Sequence, residues 1–330
     1  MFKGKKILFF SANFFGYHTE IRNKLISLGA EVDFYDERPK NSFWHKALIR
    51  IDKRIIKNQI ENYYSKIIND TSNIEYDYVF FLKAEVITFK MLSELKKNQK
   101  KAKFILYMWD SIKNCESVQE LFPLFDKILS FDPIDVENNA FMHFRPLFYL
   151  DEYVSIGNNK SKSVYDVTFI GTGHTDRYAL VMKIKHFCDR NNLKIFFFLY
   201  LQDFKIYLIR KLFNKDFKRA KLKDFFFNSL KKEEILKIIK ESKCILDIER
   251  PVQFGLTMRT IEILGAKKKL ITTNANIKNY DFYKESNICI IDRNNPLIPI
   301  DFINSDYVDV PQDIYLKYNF SNWLHDTFNN

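Results

Sequence analysis

The chain is short of the residues that punctuate or cross-link a fold. Its 330 residues include eight glycines, eight prolines and four cysteines. Cys115, Cys188, Cys244 and Cys289 stand far apart, and none is half of a CxxC pair. That argues against a disulfide framework or a thiolate metal site and fits a reducing cytoplasm. The six histidines are scattered as well. No run approaches the roughly 18 apolar residues that span a bilayer. The apolar run Ile7–Phe10 is too short for the h-region of a signal peptide. No internal repeat or low-complexity tract is present.

What is abundant is apolar and basic. Hydrophobic residues make up 46%, enough for a sizeable core. The length suits two domains of about 150 residues each. Lysine, asparagine, isoleucine and phenylalanine are all frequent, a composition bias that carries no chemistry by itself. The net charge of +11 calls for an acidic partner. Nucleotide phosphates, nucleic acid and an anionic membrane surface all qualify.

The order of segments reads as α/β. Lys6–Ala12 is a compact apolar strand, Thr19–Leu28 a helix stopped by Gly29, and Glu31–Tyr35 a second strand. That is a doubly wound opening. Trp44–Ile60 has the spacing of an amphipathic helix. Strands are expected at Tyr76–Leu82, Lys103–Met108, Lys127–Phe131 and Arg145–Leu150, with helices at Thr88–Lys97 and Ile134–Ala140. The polar stretch Asp151–Ser163, with Gly157-Asn158-Asn159, reads as a linker. A second series follows: strand Tyr165–Ile170, loop Gly171–Arg177, helix Tyr178–Asn191, strand Lys194–Leu199, helix Lys231–Glu241, strand Cys244–Ile248. Phe320–Phe328 reads as a last short helix. The expected division is an acceptor-side domain over 1–155, a nucleotide-sugar-binding domain over 156–310 and a tail over 311–330.

The densest chemistry lies in Gln253-Phe254-Gly255-Leu256-Thr257-Met258-Arg259-Thr260-Ile261-Glu262, which runs through Leu264-Gly265-Ala266 into the strand Leu270-Ile271-Thr272. It reads as a tight loop at a helix N-terminus, where free N–H groups and the helix dipole hold a diphosphate. Glu262 lies about one turn from Arg259 and suits ribose hydroxyls. An ordinary loop-helix-strand unit has the same local pattern.

These residues resemble the GT-B glycosyltransferases, and among them the bacterial spore-maturation-type and capsular or lipopolysaccharide biosynthesis enzymes. Supporting pieces are Tyr165-Asp166-Val167-Thr168-Phe169-Ile170-Gly171-Thr172, Phe80-Phe81-Leu82-Lys83-Ala84-Glu85 and Tyr107-Met108-Trp109-Asp110-Ser111. The resemblance implies two Rossmann-like domains facing a central cleft, with Glu262 on the donor ribose. Retaining members carry a glutamate eight residues before that position, where this chain has Phe254. The departure leaves the anomeric outcome open.

Candidate residues follow from strand-end positions. For the nucleotide, they are Glu262, Arg259, Thr257, the N–H groups around Met258, the loop Gly171-Thr172-Gly173, and Arg177, with His174 beside it. Arg259 offers a planar fork matched to phosphate oxygens. For the acceptor base, they are Asp110, Glu85 and His18, each just past a strand of the first domain. Asp132 reads as a turn residue. The segment Asp203–Phe227 carries eight Lys/Arg against three Asp and interleaved aromatics. It is expected to adsorb to an anionic leaflet, a solvated face being the bland alternative.

The expected protein is a cytoplasmic transferase, peripheral to the inner face of the membrane. It takes a nucleotide sugar as donor and a surface polysaccharide or lipid-linked glycan as acceptor. No metal or other cofactor is expected, and no nucleic acid. The alternatives are a nucleotide-sugar epimerase or sugar-phosphate transferase on the same fold, a basic nucleic-acid-binding protein, and a scaffold that has lost catalysis.

Overall fold

A computed structural model describes residues 2–13, 16–39, 53–159, 162–173, 176–214, 217–250 and 254–329. The chain divides into two compact units. The first is Met1–Pro146 with Trp323–Asn330, the second Leu147–Asn322. Both are parallel α/β sheets.

The first sheet holds β1 (Lys6–Ser11), β2 (Glu31–Asp36), β3 (Tyr78–Leu82), β4 (Lys103–Met108), β5 (Lys127–Ser130) and β6 (Met142–Phe144). Its order is β2-β1-β3-β4-β5-β6, all parallel. The helices are α1 (Tyr17–Ser27), α2 (Lys57–Thr71), α3 (Phe89–Asn98) and α4 (Pro133–Asn138). Helices cover both faces of a parallel sheet, so its central strands bury all but their first residue and read as unbroken apolar runs. Phenylalanine fills this core. Phe10 stacks on Phe81 at 4.4 Å and Phe9 on Phe80 at 5.2 Å. The abundant phenylalanines are packing material.

The second unit opens with α5 (Asp151–Asn158). Its sheet holds β7 (Tyr165–Thr172), β8 (Ile195–Tyr200), β9 (Phe225–Phe226), β10 (Ser242–Asp247), β11 (Lys269–Thr272) and β12 (Ile288–Ile290). The order is β12-β11-β10-β7-β8-β9, again parallel. Its helices include α6 (Arg177–Arg190), α7 (Phe204–Phe213), α8 (Lys232–Lys240) and α9 (Met258–Gly265). Three more close the chain: α10 (Ile300–Asn304), α11 (Gln312–Lys317) and α12 (Phe320–Phe328). The strand order reverses between β7 and β10 here, and between β1 and β3 in the first sheet. Those switch points open crevices at the carboxyl ends of the strands.

Several expectations shift. Asp151–Asn158 is a helix, because acidic Asp151 and Glu152 suit its first turn and Tyr153 and Ile156 bury one face. The glycine at 157 marks a close approach, since a Cβ there would lie 3.1 Å from the Gly265 carbonyl oxygen. The division falls at Pro146/Leu147. Arg145–Leu150 is no strand; β6 ends before it, and Pro146 has no N–H for a ladder. Within the expected tail, the end of α12 packs on the first unit. Trp323 is buried 4.8 Å from Tyr107, and Lys127 Nζ donates to the Asp326 carbonyl at 2.6 Å. Most of the helix expected at Trp44–Ile60 lies outside the described residues. Those inside it form a 3₁₀ turn, Lys53–Ile56, leading into α2.

Candidate functional site

In the second unit the loops after β7 and β10 meet at the switch point. Gly173 must be glycine, because a Cβ would lie 2.7 Å from the Phe225 ring. Arg177 is the first residue of α6, one position earlier than the sequence suggests. The N-cap residue Asp176 makes no side-chain cap. Its carboxylate pairs instead with Arg293 at 2.7 Å. The N-cap side chain therefore takes none of the first-turn N–H groups of this 14-residue helix.

Arg177 donates from Nη1 to Thr172 Oγ1 at 3.1 Å, while its Nε is sealed from solvent without a partner. Among the described residues no carboxylate stands within ion-pair distance of it. Burial lowers its pKa. Asp247 and Glu249 oppose that shift, while Arg250 and Arg293 add to it. The arrangement suits an anion with several oxygens.

Asp247, at the end of β10, accepts from both Thr257 Oγ1 (2.5 Å) and Thr260 Oγ1 (2.8 Å). Thr257 also caps α9 by accepting the Thr260 N–H. Its hydroxyl is committed to the fold. Glu249 receives Arg293 at 2.7 Å on one oxygen and Thr273 Oγ1 on the other. Arg293 thus braces the loops after β10 and β12 against the start of α6.

Glu262 is expected at a cleft, and its side chain is 6% exposed. It pairs with Arg259 at 3.0 Å, and Tyr153 of α5 reaches both. Burial first, then the negative Glu262, pushes the Tyr153 phenol well up. Every other residue of α9 from Thr260 to Gly265 is buried too. Gly265 lets Tyr149 approach, since a Cβ would meet its ring carbon at 2.5 Å. We predict that Glu262→Ala costs about 2 kcal/mol of stability, because it removes the carboxylate partner of a mostly buried guanidinium. Urea titration reads this, and wild-type stability would show that the pair carries nothing. Met258 opens the helix.

In the first unit two of the three candidate bases, Glu85 and Asp110, follow the carboxyl ends of β3 and β4. Glu85 Oε2 accepts from Arg38 at 2.6 Å, and Lys83 Nζ stands 3.4 Å from Oε1. Burial raises the Glu85 pKa, but Lys83 and Arg38 outweigh it and hold the carboxylate below its usual range. Lys83 also reaches Asp110 Oδ2 at 3.2 Å. Asp110 Oδ1 accepts the Ser111 N–H and the Asn114 amide. Lys83 and Ala84 both adopt positive φ, at 89° and 52°. Neither is glycine, so the turn stores strain where β3 ends.

His18 lies inside α1. Its ring stacks on Phe34, and its Nδ1 is buried without a partner. Burial lowers its pKa against the pull of Asp36, so the ring is neutral at physiological pH. The structure joins Glu85 and Asp110 through Lys83 and leaves His18 apart from that array. Asp132 caps α4 and bonds Ser111, as a turn residue would.

Sequence reasoning missed Arg38, Glu37, Asp247, Glu249 and Arg293. The alternation in Leu246-Asp247-Ile248-Glu249-Arg250 was the visible signal for two of them: acids at a strand's carboxyl end, spaced by two. His174 and Gln253 lie outside the described residues.

No protein-family model matches the chain, and no curated protein matches it by sequence. Solved structures do match in fold. An alpha-glucosyltransferase in complex with UDP and a 13-mer DNA superposes with a TM-score of 0.64 at 14% identity, covering 97% of each chain. Sucrose-phosphate synthase from Thermosynechococcus elongatus gives 0.59 at 9% identity, covering 98% of this chain and 97% of its own. A UDP-forming α,α-trehalose-phosphate synthase from Burkholderia xenovorans, solved with glucose-6-phosphate, gives 0.58 at 10%, covering 97% and 98%. The fold is that of the GT-B glycosyltransferases. The spore-maturation subgroup is not singled out by these likenesses.

Proposed function

We propose that this chain is a metal-independent glycosyltransferase using a nucleoside-diphosphate sugar, with a surface polysaccharide or its lipid-linked precursor as acceptor. The carrying observation is Arg177: a guanidinium with no carboxylate at ion-pair distance among the described residues, on a helix whose N-cap residue Asp176 makes no side-chain cap, at a switch point. In this reading the second unit binds the nucleotide. Arg177, Thr172 and the α6 N–H groups take the diphosphate; Arg259 and Glu262 shape the neighbouring ribose pocket. The first unit supplies a carboxylate that takes the acceptor's proton.

UDP is the first nucleotide to test, because two of the fold neighbours are described with it or as forming it. Calorimetry with UDP, GDP, CDP, CMP and ADP should show one binding at least as tightly as any oligonucleotide. Arg177→Met should weaken that binding by about 2–3 kcal/mol, the scale of hydrogen bonds to a charged group. The melting temperature of the free protein should change little, because the change removes a buried charge with no ion-pair partner among the described residues. Unchanged affinity in the variant would move the diphosphate elsewhere. Release of nucleotide from a sugar-nucleotide panel then tests turnover.

A second reading has two supports. The net charge of +11 suits a polyanionic acceptor, and one fold neighbour was solved on DNA. Sugar transfer to duplex DNA, and none to glycans, would select it.

A further inference from the structure

The helix α7 turns Tyr207 inward, where its hydroxyl donates to the Ala220 carbonyl at 3.1 Å. Arg210 follows it and donates to the Gly173 carbonyl at 2.8 Å. The opposite side is the unusual one. Phe204, Leu208, Ile209, Leu212 and Phe213 are exposed, from 44% at Leu208 to 83% at Phe213. At 100° per residue these five cover half the helix circumference. Single exposed apolar residues are ordinary; a contiguous face of large ones marks an interaction site.

The rim of that face is basic. On the helix Lys211 flanks the face while Lys205 projects from its middle, and Lys218, Arg219, Lys221 and Lys223 are exposed just beyond it. Leu222 and Phe226 add two more exposed apolar side chains to the same segment. Three occupants are conceivable. A second copy would bring like charges together across a self-complementary contact. Nucleic acid would satisfy the lysines, but phosphates offer nothing to Leu208, Ile209 and Leu212. An anionic bilayer satisfies both sets, taking apolar side chains into the acyl boundary and lysines among the headgroups. No described helix is long and apolar enough to cross a membrane. A ten-residue helix, about 15 Å long, is suited to lying in the interface plane.

We propose that α7 is a docking face for an anionic lipid surface, with Leu208, Ile209, Leu212 and Phe213 as its inserted residues and the basic rim reading the headgroups. The proposal stands on the exposed face alone and does not depend on which sugar, if any, is transferred.

The test is co-sedimentation of the full chain with phosphatidylcholine vesicles, with and without phosphatidylglycerol. Binding is expected only with the anionic lipid and should weaken as salt rises. The double variant Leu212→Glu/Phe213→Glu should bind about tenfold less or weaker, with unchanged melting and nucleotide affinity. Lys218→Glu/Lys221→Glu should lose part of the binding and flatten its salt dependence. Wild-type chain left in the supernatant, or equal binding by the Leu212/Phe213 variant, would overturn the assignment. So would a dimer that the same variant splits, or release from vesicles by substoichiometric duplex DNA.

Discussion

Asp110→Asn is expected to lower sugar transfer by about 10²–10⁴-fold, the usual contribution of a positioned general base, while nucleotide affinity stays at the wild-type value. A base must be reachable by the acceptor hydroxyl. The Asp110 side chain keeps 35% exposure, against 13% for Glu85. Glu85 has both oxygens on cations, and its depressed pKa makes it a poor proton acceptor. The two carboxylates, equal candidates on position alone, should therefore fail differently. Glu85→Gln leaves Arg38 beside a neutral amide and Lys83 with Asp110 alone, and should lower stability by about 2–3 kcal/mol, with activity falling only as the protein unfolds. The comparison needs transfer rate, nucleotide affinity and a melting curve for each variant. Full transfer in Asp110→Asn would shift the role to His18. A loss of nucleotide affinity in that variant would mean the first unit helps hold the donor.

Much of this was legible in the sequence, for identifiable reasons. Parallel strands covered on both faces leave unbroken apolar runs, so most strands of both sheets stood out. Because ligands gather at carboxyl strand ends, the loops bearing Arg177, Glu85 and Asp110 could be named before any geometry. The pairings could not. Arg38 and Glu85 are 47 positions apart, and only the register of β2, β1 and β3 brings their side chains to 2.6 Å. The partner of the Thr257 hydroxyl was not visible either. Thr257 looks like a phosphate donor, yet Asp247, ten residues earlier, claims it. Glycine misled once: Gly157 reads as linker and serves as a close-packing point on α5.

The buried carboxyl of Glu37 gives the second large expectation: stability should fall as pH rises from about 4.5 to about 8. Glu37 follows β2, where its N–H donates to the Ser11 carbonyl at 3.2 Å and its Oε2 accepts the Glu85 N–H at 3.1 Å. One residue thus links the ends of β2, β1 and β3. It is fully buried, and its Oε1 has no partner. Burial first, then the charge of Glu85, pushes its pKa from 4.5 up to about 8, against Lys83 and Arg38. Between those values the folded chain keeps a proton that the unfolded chain gives up. The stabilisation is complete below pH 4.5 and is lost as pH climbs through 8. At about 1.4 kcal/mol per unit, the loss is on the order of 3–5 kcal/mol. Asp135, pushed up to about 6 chiefly by burial, adds the same sign over the lower part of the window. His18, held below its usual value, acts oppositely. Glu37→Gln keeps the shape and cannot ionise, so the difference between the two proteins isolates this one group. Urea titrations from pH 5 to 9 should show the variant nearly flat where the wild type declines, with the curves crossing as pH rises. Equal slopes would place the Glu37 carboxyl in contact with water and remove it from the pH response.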